Sequence, residues 1–269
     1  MTTVSNSLRR PMDMGQIVNT AIRVYRRNFG EFVAIAAVAL PIVAGFAVTE
    51  ALVDGSTWNV VGAALLIPLL AVVIIVQAAI TQAVVDIADG VAPEFNSVYL
   101  RVFRRLGLLL TSGLRVFLGM VVLCLTVVGI PFAMYLLVRW IMFTPVIMTQ
   151  SDSTLQEVDV NTLLQSGPKW ARSGILGMFE RRFSSRASAM SARIVEGFWW
   201  RTLGILVVIY ILANVPTGLV GVAALNAPPV GSSLLSAVAL VMVLPFMLIA
   251  YTLLFFDLQS RERERASVA

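Results

Sequence analysis

A chain of 269 residues with 58% hydrophobic and 13% charged side chains lies outside the range of soluble domains, where charged residues are nearer a quarter. Its 20 Lys and Arg against 15 Asp and Glu give a net charge of +5. No basic stretch has the turn chemistry or aromatic platform of a nucleic-acid motif, so anionic membrane lipid rather than nucleic acid is the expected partner.

The first element is amphipathic. Over 13–29, Met14, Ile17, Val18, Ala21, Ile22, Tyr25 and Phe29 recur at helical spacing, while Gln16, Asn19, Thr20, Arg23, Arg26 and Arg27 fall mainly on the other face. That pattern predicts a helix lying in the membrane interface. No secretory signal peptide is expected, because the first apolar run starts only at Phe32, behind this polar segment, and is longer than a signal h-region. Apolar runs at about 32–53 and 60–85 follow, each near the ~20 residues that cross ~30 Å of hydrocarbon. Asp86-Ile-Ala-Asp89-Gly90 ends the second run. It superficially resembles the Asp-rich motif of membrane phosphatidyl-alcohol transferases, but the further aspartates that a divalent ion needs are missing. The simpler expectation is a helix exit with Gly90 as C-cap.

Pro93 opens a second amphipathic segment, 93–105, with Phe95, Val98, Tyr99, Val102, Phe103 and Leu106 on one face and Arg101, Arg104 and Arg105 off it. Runs at 106–129 and 130–149 come next. Reading 116–138 as one uninterrupted span would leave five spans and put Lys169, Arg172, Arg181, Arg182 and Arg186 on the far side. The positive-inside rule rejects that, and Gly129-Ile130-Pro131 is predicted to be a hairpin turn, where a proline costs little. Arg139 lies eight residues after Pro131 and eleven before Gln150, roughly 12 Å and 16 Å from the two ends at a helical rise of ~1.5 Å per residue. An Arg near mid-membrane costs about 2.5 to 3.5 kcal/mol on insertion scales. It is therefore expected to face the bundle, either lining an anion or lipid-phosphate site or holding helices together. Arg115 is shallower, within snorkelling reach of the surface.

The loop 151–185 has its own organisation. Thr154-Leu-Gln-Glu157 has capping-box spacing, which predicts a short helix to about Gln165 closed by Gly167-Pro168. Lys169, Trp170, Arg172, Ile175, Phe179, Arg181, Arg182 and Phe183 then mix basic and aromatic side chains, which suits a membrane-surface element or a solvated loop. A third amphipathic segment, 186–200, has Met190, Ile194, Val195, Phe198 and Trp199 as its stripe, and runs at 202–225 and 234–258 complete the chain. Pro41, Pro68, Pro145, Pro216 and Pro245 fall inside runs and predict kinks there.

All but two of the 20 Lys and Arg lie outside the runs. With six spans, the loop holding Glu50 and Asp54, the turn at 129–131 and the loop 226–233 carry none of them. The charge pattern thus predicts an all-α integral membrane protein, one polytopic domain over 1–269. Its six transmembrane helices form three hairpins, each preceded by an amphipathic interfacial helix, in the plasma (inner) membrane with both termini and the loop 151–185 cytoplasmic. Arg23, Arg26, Arg27, Arg101, Arg104 and Arg105 are the candidate headgroup contacts. An internal repeat is also suggested. Arg23-Val-Tyr-Arg-Arg-Asn-Phe-Gly30 lines up with Arg101-Val-Phe-Arg-Arg-Leu-Gly107, and Thr81 stands five residues before Asp86 as Thr252 does before Asp257.

Three stretches carry a family resemblance: Pro11 to Phe29, Ala189 to Arg201 with its Gly197-Phe-Trp-Trp-Arg201, and Tyr251 to Glu262 with Phe256-Asp257-Leu258. Together they resemble the membrane domain of membrane-anchored glycerophosphoryl diester phosphodiesterases and its stand-alone bacterial relatives. The resemblance implies a lipid-side or phosphodiester-side role. In the fused members a TIM barrel of ~250 residues does the chemistry, and these 269 residues leave no room for one. The loop 151–185 is also longer than the family pattern.

The chain has no histidine, which excludes Ser-His and His-Glu-x-x-His sites. The single Cys124, inside an apolar run, excludes a disulfide framework and a cysteine metal cluster. No catalytic, cofactor or metal site is expected. Three functions remain: a non-catalytic membrane module that binds lipid or a partner membrane or cytoplasmic protein, a transporter for an anionic or lipid-like substrate with Arg139 in its path, and an intramembrane enzyme. The first is preferred, because beyond Arg139 the span interiors offer little polarity apart from Gln77, Thr81, Thr126, Thr144 and Asn214.

Overall fold

The computed structural model describes residues 8–53, 55–125, 129–157, 159, 160, 163, 175–223 and 228–268. All regular structure among them is helical. The helices are α1 (Met14–Arg27), α2 (Phe29–Ala37), α3 (Leu40–Leu52), α4 (Gly55–Ala88), α5 (Phe95–Arg104), α6 (Leu106–Cys124), α7 (Gly129–Trp140), α8 (Phe143–Thr149), α9 (Asp152–Glu157), α10 (Ile175–Phe183), α11 (Arg186–Val195), α12 (Trp199–Ala223) and α13 (Pro229–Val268). Five helical stretches are long and apolar enough to cross a membrane, or six if α2 and α3 form one bent span. The protein is therefore a multi-pass, membrane-embedded helical chain.

Several boundaries differ from the sequence expectation, each for a local reason. The run 32–53 is broken, with α2 and α3 bent by 54°; Pro41 lacks the N–H that would continue the ladder across Val38 and Ala39. Pro145 similarly follows a break at Ile141 and Met142, which divides the run 130–149 into α7 and α8. Pro68, Pro216 and Pro245 leave their helices unbroken. Gly129, Ile130 and Pro131 do not form the hairpin turn but the first turn of α7, where proline's missing donor would be unbonded in any case. Helix α6 ends at Cys124, and residues 126–128, with Thr126 among them, lie outside the described residues.

The third amphipathic segment stops at Val195, since Gly197 adopts φ 82° and turns the chain, so Trp199 and Trp200 start α12 instead. The last helix is a 40-residue rod, about 60 Å long and so well beyond one bilayer. Thr154 does not cap α9. Ser151 does, its hydroxyl accepting from the Thr154 N–H at 3.2 Å. Helix α9 covers the start of the helix expected to reach Gln165; residues 158, 161, 162, 164 and 165, the Gly167-Pro168 stop, and Lys169, Trp170 and Arg172 fall outside the described residues, as do Asp54, Asn226 and Ala227.

The core sits at the end of the bundle that carries the arginines. Residues 248–258 of α13 and 78–86 of α4 are buried there in unbroken runs. At the opposite end Leu219, Val222, Val60 and Ile67 are 66–73% exposed, as lipid-facing residues are. Buried side chains thus gather at the arginine-bearing end of the bundle.

That gathering decides what the amphipathic helices do. In α1, Ile17, Ala21 and Val24 are buried while Ile22 is 40% exposed. The centre of the expected membrane stripe is covered by protein, and its inward line includes Val24. The Met12 N–H donates to Asp257 at 2.8 Å, and the Tyr25 hydroxyl donates to the Met242 carbonyl at 2.6 Å. The two anchor points are 15 residues apart on α13, about 22 Å of helix. Helix α1 therefore runs along α13, antiparallel to it, with Arg23, Arg26 and Arg27 on its outer face. Helix α5 is held in the same way, through buried Val98, Tyr99 and Val102 and a Tyr99 hydroxyl bond to the Ile35 carbonyl at 2.7 Å.

Candidate functional site

Arg139 is 3% exposed, and its partner comes from the loop 151–185. Helix α10 places Glu180 so that Arg139 Nε donates to Glu180 Oε1 at 3.0 Å, both side chains being nearly inaccessible. One turn earlier, the Tyr135 hydroxyl accepts from Arg139 Nη1 at 3.1 Å, and its ring lies 5.4 Å from the guanidinium. Trp199 stacks on Tyr135 at 5.9 Å. Burial pushes the Glu180 carboxyl above its ordinary range; the Arg139 charge and hydrogen bond oppose this, and Glu196 adds to it. Of the two roles weighed for Arg139, the geometry displays a helix-to-loop tie.

The broken backbone beside it is repaired by α11. The Ser191 hydroxyl donates to the Arg139 carbonyl at 2.6 Å and accepts from the Met142 N–H at 3.1 Å. One hydroxyl thus satisfies two of the backbone groups freed at the α7–α8 break, which matters because an unpaired buried amide is costly in an apolar setting. Ala187, Ala189 and Ala192 are buried, and their small size lets α11 approach α7 and α8 closely.

Four more arginines join helix ends. Arg101 donates to Asp86, which also accepts from Gln82 at 2.9 Å. The helix exit expected there is present: Gly90 adopts φ 80°, and the Val91 N–H closes onto the Asp86 carbonyl at 2.8 Å. Arg105 donates to the Ile147 carbonyl and, at 2.8 Å, to the Gln150 carbonyl, which caps α8. Arg201 and Arg261 flank the fully buried Asp257 at 3.2 and 2.8 Å, and Arg201 also donates to the Met12 carbonyl at 2.5 Å. The two matched threonines meet, with Thr81 and Thr252 hydroxyls 3.3 Å apart.

The six arginines expected at headgroups therefore divide. Arg23, Arg26, Arg27 and Arg104 are exposed, whereas Arg101 and Arg105 are partly buried and engaged by the protein. Glu180 and Ser191 were missed by the sequence reading. Glu180 sat in a segment read for its basic residues, and its only signal was a lone acid among aromatics; Ser191 is one small residue in a run of them. No group of three or more His, Cys, Asp or Glu able to hold a metal occurs among the described residues. Neither a family model nor a curated protein nor a solved structure matches the chain, so the functional reading rests on this geometry.

Proposed function

We propose that the chain is a non-catalytic membrane module, akin to the membrane domain of glycerophosphoryl diester phosphodiesterases, that binds anionic lipid headgroups at the cytoplasmic face of the plasma (inner) membrane. In this reading six spans form three hairpins, both termini are cytoplasmic, and the module supports lipid or envelope processes, alone or with a partner protein. The observation that carries it is the division of the arginines. Those not used to join helices, Arg23, Arg26, Arg27 and Arg104, stand exposed on amphipathic helices whose opposite faces are buried. Each contributes on the order of 1 kcal/mol near an anionic surface. A transport path through Arg139 has less support, because that guanidinium is engaged by Glu180 and Tyr135.

Reporter fusions test the topology. Fusions after Val53 and Pro228 should report the exterior, and fusions after Asp89, Ser151 and Glu264 the cytoplasm. An exterior signal after Ser151 refutes the six-span arrangement.

A further inference from the structure

One cavity of about 360 Å³ lies at the arginine-bearing end, between the α5–α6 junction, α9 and the start of α11. Its volume is within the ~300–1,000 Å³ of small-molecule sites. Three guanidiniums line it, from Arg104, Arg105 and Arg186, against one carboxylate, Asp152. Arg105 lies 3.4 Å from Asp152 and is fixed by the two carbonyls it caps. Arg104 and Arg186 are exposed and make no ion pair among the described residues. The cleft therefore has two uncompensated cations beside a third held rigidly, a donor set suited to a phosphate.

The membrane side of the cleft is apolar. Leu108 lines it and is 38% exposed, and it begins a face of α6 that continues through Thr111, Arg115, Leu118 and Val122, all exposed. Arg115 stands seven residues below Leu108 on that face, about 10 Å along the axis. It has no ion pair among the described residues, although it sits within an apolar run where an unpaired cation is costly. An arginine in that position snorkels toward the surface, and the direction that keeps it on its own face leads to the cleft. A ligand with phosphate above and acyl chains below would satisfy both features, whereas a soluble anion would leave Arg115 and the Leu108 face unexplained.

We propose that this cleft is a specific site for an anionic glycerophospholipid, its phosphate held by Arg104, Arg186 and the prefixed Arg105, its acyl chains descending along α6 past Arg115. This deepens the headgroup-binding reading above and rests on it. Gly107 borders the cleft with open space where a Cβ would stand, so a side chain there fills the site without displacing a neighbour.

The test uses the full chain in neutral detergent, stripped of lipid, titrated calorimetrically with dihexanoyl phosphatidic acid, dihexanoyl phosphatidylcholine or inorganic phosphate. The phosphatidic acid should bind saturably and at least tenfold more tightly than either of the others. Arg104→Gln with Arg186→Gln should weaken it tenfold or more, and Gly107→Leu should do so without removing a charge. Arg115→Gln should weaken the lipid several-fold and leave inorganic phosphate unchanged. Unaltered lipid affinity in both the double variant and Gly107→Leu overturns the cleft; if Arg23→Gln, Arg26→Gln and Arg27→Gln together then abolish binding, the general headgroup reading survives. Inorganic phosphate binding as tightly as the lipid, with Arg115→Gln silent, makes this a soluble-anion site and also overturns the proposal. A chain that binds no anionic lipid at all removes both readings.

Discussion

The Arg139–Glu180 pair allows the burial argument to be put in numbers. At 3.0 Å and an effective dielectric of ~20, the pair attracts by about 5 to 6 kcal/mol before solvation is counted. Removing each ion from water costs several kcal/mol, so a buried pair is worth little net relative to a neutral replacement. Breaking it from one side is another matter. Arg139→Gln leaves Glu180, 4% exposed, with its charge or its forced proton and no cation, at a cost of about 3 to 5 kcal/mol. Glu180→Gln strands the guanidinium, although the Tyr135 hydroxyl 3.1 Å away still accepts from it, so its cost should fall at the lower end of that range. The double variant replaces two charges with two amides and should recover much of the loss, giving a coupling energy of about 2 to 3 kcal/mol. Reversible unfolding in mild detergent at about pH 8, on all four proteins, measures it. Additive single effects, or an Arg139→Gln protein as stable as the parent, would refute the reasoning and show that water or lipid reaches this guanidinium.

Two other expectations follow from named contacts. The Glu180 carboxyl is raised above 4.5, so the native chain keeps this proton to higher pH than the unfolded chain does. This contribution to stability is therefore complete below about 4.5 and is lost as pH rises through the folded-state value, with a slope of at most ~1.4 kcal/mol per pH unit. A pH series of unfolding midpoints for the parent and Glu180→Gln should differ by that downward slope, and identical profiles would contradict it. Asp257→Asn should cost about 3 to 5 kcal/mol, since Arg201, Arg261 and the Met12 N–H all converge on this buried carboxylate. It should also free the N-terminal segment, which limited proteolysis before α1 reads directly.

The elements legible in the sequence were those written in periodicity and charge. The amphipathic pattern from Met14 and Pro93 found α1 and α5 within two residues, and the apolar runs found the long helices. What escaped was tertiary. Whether Ile17 and Ala21 face lipid or protein cannot be read from α1 itself, because lipid and a neighbouring helix accept the same apolar stripe; α13 decides it by offering the surface between Met242 and Asp257. Arg139 was visible as an anomaly, yet its partner lay 41 residues away in a segment notable for its basic and aromatic side chains. The arginines of the headgroup set looked alike in sequence, and only the carboxylate and carbonyls that Arg101 and Arg105 reach distinguish them from Arg104. The Thr81 and Thr252 match, a short coincidence on paper, is a contact in space.

The link between Met12 and Asp257 also sets a timetable for biosynthesis. The two residues are 245 positions apart, and at roughly 5 to 20 residues per second the ribosome needs about 12 to 50 s to travel between them. During that interval Ile17, Ala21 and Val24 have no α13 to cover them, and a bilayer surface offers the nearest apolar shelter. The amphipathic character of α1 thus serves two successive environments. The newborn chain can rest this helix on lipid while the intervening helices are made, and then transfer the same stripe to α13 as it arrives, so that synthesis of α13 is what docks α1.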